Sequence, residues 1–287
     1  MTDATLGGAA RRPLSRSLAV HIVLCAASLV MLYPLLWMLA SSFKDDSQIF
    51  SSASLWPQSF NFDAYVRGWT GLDVSFGQFF WNSAVISVLS VIGNVFACSL
   101  TAFAFARLRF PGRSFWFALM LGTLMLPYHV TLIPQYVLFL NLDWVDTFLP
   151  LVVPKYLASD AFFIFLMVQF FRGIPRELDE AAMMDGCKPW TIYWRIILPL
   201  SKPVLATAAI FSFIWTWDDF FAPLIYLNDM GSYTVQLGLR NFVDSTGKSD
   251  WSALFAMSVV TLLPVFFFFL FFQRLLIEGV ATTGMKR

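Results

Sequence analysis

Glu180–Ala181–Ala182–Met183–Met184–Asp185–Gly186, followed after nine more residues by Ile196–Ile197–Leu198–Pro199, is a short polar and small-residue stretch set inside a very apolar chain. Its local chemistry spells a helix with marked ends. Pro175 suits a first helical position, where its missing N–H is not needed, and Glu177, Asp179 and Glu180 crowd the first turn, where the helix dipole favours acids. Gly186 suits the left-handed residue that ends a helix. Between these marks Leu178, Ala181, Ala182 and Asp185 recur at three- and four-residue spacing, which puts them on one face. Two adjacent alanines let that face approach another surface closely. Spacing alone leaves two readings open: a helix offered to a groove on a partner, or an amphipathic loop helix packed on the chain's own bundle.

The surroundings of this stretch decide the fold class. Of 287 residues, 58% are apolar and 13% charged, with a mean hydropathy of +0.69. That is too apolar for an ordinary soluble domain and points to one all-α, polytopic membrane unit. The net charge of +1 and the lack of a large basic patch argue against nucleic acid as a partner. Cys25, Cys98 and Cys187 are widely separated, and neither His21 nor His129 has a second ligand at metal spacing. A disulfide framework or a metal site is not expected, and the cysteines read as packing residues.

Moving outward, residues 1–16 form an N-terminal tail, residues 17–276 a six-span domain containing the loop 172–202, and residues 277–287 a C-terminal tail. The first apolar run, 18–40, is longer than a signal-peptide core and lacks a cleavage pattern, so it reads as a retained span. Residues 44–73 form a polar and aromatic loop with turn signals at Trp56–Pro57 and between Gly68 and Gly71. The second span covers 81–105 and stops at Arg107–Leu108–Arg109–Phe110–Pro111–Gly112–Arg113. A third starts near Phe115 and is interrupted by Pro127, Pro134, Pro150 and Pro154; such breaks are tolerated at membrane depth only where protein or a wet cavity surrounds them. The fourth span ends at 161–171, the fifth runs from 203 to about 227, and the sixth fills 251–272.

Six spans put both termini on one side with the 107–113 turn and the 172–202 loop. Of the 19 basic residues, Lys44, Arg67, Lys155, Arg240 and Lys248 fall on the other side and the remaining 14 on this one. The excess of Lys and Arg marks the cytoplasmic face.

Several constellations bear on chemistry. Ser245–Thr246–Gly247–Lys248–Ser249 ends like a phosphate-binding loop, but Phe242 stands where its first glycine is required, so nucleotide binding is not expected. Asp218–Asp219 fall inside the fifth span beside Trp215 and Trp217. Carboxylates within a span are costly unless they face a cavity or a partner, and acids beside flat indole faces suit sugar hydroxyls and C–H surfaces. The other readings are an early end of the span, with the acids in an interfacial aromatic belt, and proton coupling, for which no intramembrane His or Arg partner stands nearby. Asn94, Ser99 and Gln169 could bond between helices. The run Phe266–Phe267–Phe268–Phe269 is lipid-facing or packing surface. No catalytic arrangement is found, so an enzyme is not expected.

The Glu–Ala–Ala, Gly and Ile–Ile–Leu–Pro pattern resembles the signature loop of the membrane subunits of ABC importers, in particular the second, six-span permease subunit of maltose-type carbohydrate-uptake systems. Residues 102–113, 123–134 and 217–226 and the Gly-rich tail 278–287 are similar to corresponding segments of that family, although the tail ends in Arg287 where a glycine is usual. The resemblance implies that the loop is a coupling helix seated in an ATPase subunit, with Glu180, Ala181, Ala182, Asp185 and Gly186 carrying that role. It further implies a second homologous permease subunit, two ATPase subunits holding ATP and Mg, an extracytoplasmic solute-binding protein, and a place in the cytoplasmic membrane. This chain would hold no cofactor of its own. The expected function is import of a sugar or related polar solute; the alternative is an ion-coupled secondary transporter, and a scaffold without transport a third.

Overall fold

The computed structural model describes residues 14–51, 54–57, 60–243 and 249–284. Most of the N-terminal tail, the Ser245–Thr246–Gly247–Lys248 segment and the last three residues lie outside the described residues. Every regular element among the described residues is a helix, as expected where backbone groups must be satisfied without water. In order these are α1 (Leu14–Ser41), α2 (Asp46–Ile49), α3 (Asp63–Thr70), α4 (Phe76–Arg107), α5 (Arg113–Thr123), α6 (Tyr128–Asn141), α7 (Leu149–Val152), α8 (Ala161–Gly173), α9 (Glu177–Met184), α10 (Pro189–Ile192), α11 (Leu198–Leu200), α12 (Lys202–Trp217), α13 (Phe221–Tyr226), α14 (Val235–Leu239) and α15 (Trp251–Gly284).

Four stretches are long and apolar enough to cross a membrane: Val20–Ser41, Phe76–Arg107, Leu149–Gly173 and Trp251–Gln273. A fifth is the pair Pro189–Leu200 and Lys202–Trp217, bent by 78°. The expected third span is two helices, α5 and α6. Pro127 has no N–H to donate and holds an extended ψ of 132°, so the chain leaves α5 through short bonds from Leu124, Met125 and Leu126 to carbonyls three residues back and restarts at Tyr128. The expected fifth span is also shorter than the sequence suggests. Helix α12 ends at Trp217, and α13 resumes after Asp218–Asp219–Phe220. The turn signal at Gly68 is overridden as well: Gly68 lies inside α3, against Met257 of α15. The sixth helix runs beyond its expected end to Gly284, so most of the C-terminal tail continues it.

Helix α4 is the central element. Its small and polar side chains face α8 and α12: Asn94 donates to Ser212 at 3.2 Å, and Cys98, Ala102 and Ala106 join Phe163, Met167, Phe171, Tyr193 and Ala208 in one buried cluster. A Cβ on Gly93 would lie 2.4 Å from the Tyr156 ring, so that close approach needs glycine. Ser99 and Tyr193 share a 2.8 Å hydrogen bond, and Gln169 is exposed. Helix α1 lies beside α15 through the Trp37–Phe255 ring pair and leaves nearly all of its apolar length unburied by the chain, only Ala40 and Ser41 at its end being buried among the described residues. Its Cys25 is exposed, unlike the buried Cys98. Phe268 stacks on Phe213 at 4.3 Å, while Phe266, Phe267 and Phe269 stay exposed. The phenylalanine run therefore serves both packing and outer surface.

Candidate functional site

Helix α9 spans one end of the bundle. Arg176 is its N-cap, one residue after Pro175, so the proline precedes the helix where the sequence suggested that it opens it. Three acids occupy the first turn. The other end closes as the sequence predicts: Gly186 has φ of 78°, its N–H donates to Met183 O at 3.0 Å, and the N–H of Cys187 donates to Ala182 O at 2.9 Å. Together these form the paired closure that satisfies the last carbonyls of a helix. A β-carbon at position 186 would meet no neighbour; the requirement there is conformational.

The inward side of α9 is Asp179 and Ala182. Ala182 is 8% exposed and joins the cluster around Ala106, Phe171, Ile174 and Tyr193. It therefore does not share the outward face that its spacing with Leu178, Ala181 and Asp185 suggested. An eight-residue helix laid across a bundle end must give one side to the bundle, and alanine permits the closest approach. Glu180, Ala181, Asp185 and Gly186 are exposed, as are Leu178, Met183 and, at 89%, Met184. The outward surface is small, apolar and edged by acids.

Asp179 makes the connection that the sequence reading missed. Arg107, the last residue of α4, places Nη1 3.1 Å from Asp179 Oδ2, with side chains only 3% and 9% exposed. Its Nη2 donates to Phe171 O and Ile174 O, both at 2.8 Å. One guanidinium thus ties the end of α4, the end of α8 and the start of α9 together. Burial pushes the Asp179 carboxyl above its ordinary range, against the pull of Arg107 and Arg176 and with the repulsion of Glu180. A buried pair of this kind holds geometry more reliably than it adds stability. The return from α9 is anchored by Tyr193 and Ile197, the first and last residues of a π-helical turn and both fully buried.

The second region is a cavity of about 770 Å³ between the broken helices. Of the four residues singled out in this stretch, Trp215, Trp217, Asp218 and Asp219, Trp215 and Asp219 border it. Trp217 is buried elsewhere, donating from Nε1 to Thr261 O at 3.1 Å and stacking on Phe213. Asp218 is exposed and accepts from Gln236 at 3.3 Å. Residues two apart on a helix lie about 200° apart around its axis, so Trp215 and Trp217 cannot share one wall. Asp219 Oδ1 accepts from the N–H groups of Phe221 and Ala222 at 3.0 and 3.2 Å, which starts α13. Lys155 and Asp160, paired at 3.0 Å, lie on the same wall system.

A multi-span helical protein with a clamped loop helix at one end and a cavity of mixed apolar and polar lining among interrupted helices belongs to the class of membrane transport subunits. Residues 95–282 match the family of the binding-protein-dependent transport system inner membrane component, and the chain belongs to that family. It is 31% identical over 268 residues to the diacetylchitobiose uptake system permease protein NgcG of Streptomyces coelicolor, covering 93% of this chain and 88% of that protein. It is 30% identical over 280 residues to the sn-glycerol-3-phosphate transport system permease protein UgpE of Brucella abortus, covering 95% and 98%. Its fold matches a chain of the crystal structure of a bacterial ABC transporter involved in the import of the acidic polysaccharide alginate, with a TM-score of 0.79 at 23% identity over 92% of this chain and 98% of that one. The protein is thus a membrane permease subunit of an ABC importer that works with other components of such a system. Membership does not favour the ion-coupled alternative.

Proposed function

We propose that this chain is one of two related membrane subunits that, with two ATPase subunits and an external solute-binding protein, import a sugar or related polar solute. Both termini, the 107–113 turn and α9 lie on the cytoplasmic side in this reading, as the bias of basic residues supports. ATP and its magnesium belong to the ATPase subunits. The observation that carries the reading is the two-sidedness of α9. Its Asp179 and Ala182 are locked into the bundle while Ala181, Met183 and Met184 are presented outward, which suits an apolar groove on a partner. Glu180, Asp185 and Gly186 frame that contact; Ala182 and Asp179 position it from behind.

Closure of the ATPases would move α9, and Arg107 would pass the movement to α4 and α8. The ATPases can bias the cavity only through contacts that differ between their open and closed states. Asp219 and Trp215 stand where a solute would pass. The test is solute uptake into vesicles holding the complete transporter. Uptake is expected to require internal ATP and to survive ionophores; uptake abolished by ionophores and indifferent to ATP would contradict the reading.

A further inference from the structure

We infer that the cavity beside α12 is a solute subsite contributed by this chain, suited to an uncharged, hydroxyl-rich solute of the saccharide class and unfavourable to phosphorylated or carboxylate-bearing ones. The inference rests on the importer reading and narrows it. Its volume of about 770 Å³ lies within the range of small-molecule sites. Trp215, about half exposed, offers an indole face of the kind that packs on the C–H surface of a sugar ring. His129, also on the wall, packs its ring edge-on against Phe221.

The charges set the preference. Lys155 on the wall is already paired with Asp160, while Asp219 has two backbone N–H donors on one oxygen and, among the described residues, no ion pair, the charge of Lys155 reaching it only through space. The three together leave one negative charge facing the cavity, and an incoming phosphate or uronate meets it at reduced dielectric. A neutral hydroxyl can instead donate to the carboxylate.

A second observation is independent of charge. Tyr226 and Thr234 border the same cavity and are only 2% and 4% exposed, yet neither hydroxyl has a hydrogen-bond partner among the described residues. Buried hydroxyls are ordinarily paired. Two unpaired ones in one wall are groups held for a ligand, each able to donate and to accept. Both oxygens are shielded from solvent in this conformation, so their pairing accompanies widening of the cavity.

The test uses the purified complete membrane complex in detergent, without the binding protein, so that the binding protein's own selectivity does not enter. Tryptophan fluorescence is titrated with N,N′-diacetylchitobiose, sn-glycerol 3-phosphate and an alginate disaccharide at fixed ionic strength, with Trp215→Phe to isolate the Trp215 signal. The neutral disaccharide is expected to give a Trp215-dependent response at least about tenfold tighter than either anion, and Asp219→Asn should shrink that gap. Tyr226→Phe combined with Thr234→Val should weaken the neutral response by about tenfold, with thermal unfolding unchanged because these hydroxyls make no bond among the described residues. An equal or stronger response to the anions, no Trp215-dependent response to any probe, or wild-type affinity in the double variant would overturn the subsite. Failure of the importer reading would look different: selective binding here, but no ATP-driven uptake in vesicles.

Discussion

Two ion pairs hold the two ends of the bundle, and they differ in kind. At the α9 end, Arg107 and Asp179 are almost wholly buried, and the guanidinium also satisfies two helix-terminal carbonyls. At the opposite end Arg67 of α3 meets Asp250 at 3.0 Å with side chains 49% and 33% exposed, in a network where Asp250 also accepts from Ala253 N and Asp46 accepts from the N–H of Ser252. Solvent screens the second pair and leaves it adaptable, whereas breaking the first strands a charge without water. The rigid joint therefore sits behind the helix proposed to transmit motion.

The largest effect should follow from breaking the buried joint. Arg107→Leu leaves the Asp179 carboxylate uncompensated and two carbonyls without their donor, and is expected to cost about 3–5 kcal/mol, read as a lowered unfolding temperature of the purified complex and faster proteolysis near α9. Adding Asp179→Leu should recover part of the loss, since removing both charges of a buried pair is often near neutral, but not all of it, because Phe171 O and Ile174 O remain unpaired. Full recovery would mean that the carbonyl bonds contribute nothing.

The exposed tether should respond far less. Arg67→Ala is expected to cost at most about 1 kcal/mol and to matter less in high salt. Burial raises the Asp250 carboxyl, but the hydrogen bond and charge of Arg67, with bonds from Ala253 N and Ser252, outweigh it and hold the carboxyl below its ordinary range. A depressed carboxylate stabilises fully above its unfolded value of about 3.9 and loses that contribution as pH falls through the lower folded value. Unfolding temperature should thus show no Asp250-dependent change from pH 6 to 8, and Asp250→Asn should flatten a decline confined to pH below about 4.

The contrast between the ends also marks what the sequence could convey. The existence of α9 and its stop were legible in three clustered acids and in Gly186, because helix ends are written locally. Which alanine faces the bundle was not, since Ala181 and Ala182 differ only in what distant residues place beneath them. Arg107 read as part of a basic turn and Asp179 as a dipole acid; their pairing depends on α4 and α8 ending together. In the cavity, treating 203–227 as one continuous helix put four candidates on one element, whereas Asp218 and Asp219 lie in the three-residue break that follows Trp217; the opposed directions of Trp215 and Trp217 were already implied by helical geometry. Pro127, by contrast, announced its interruption, whereas Pro134, expected to do the same, lies inside α6 without ending it; a missing donor breaks a helix only where the surrounding packing does not carry the helix past it.

The central claim is that α9 faces two ways, and two positions two residues apart can separate them. In the complete transporter, Ala182→Asp should prevent recovery of folded complex, because its carboxylate would enter the core. Met184→Asp puts the same charge on the most exposed residue of the helix, where it costs the isolated subunit nothing but would have to be desolvated in the proposed docking. The deciding measurement is solute taken up per ATP hydrolysed by the Met184→Asp complex in vesicles: the account predicts an assembled complex whose ratio falls at least about tenfold, and a ratio equal to that of the unmodified protein would contradict it.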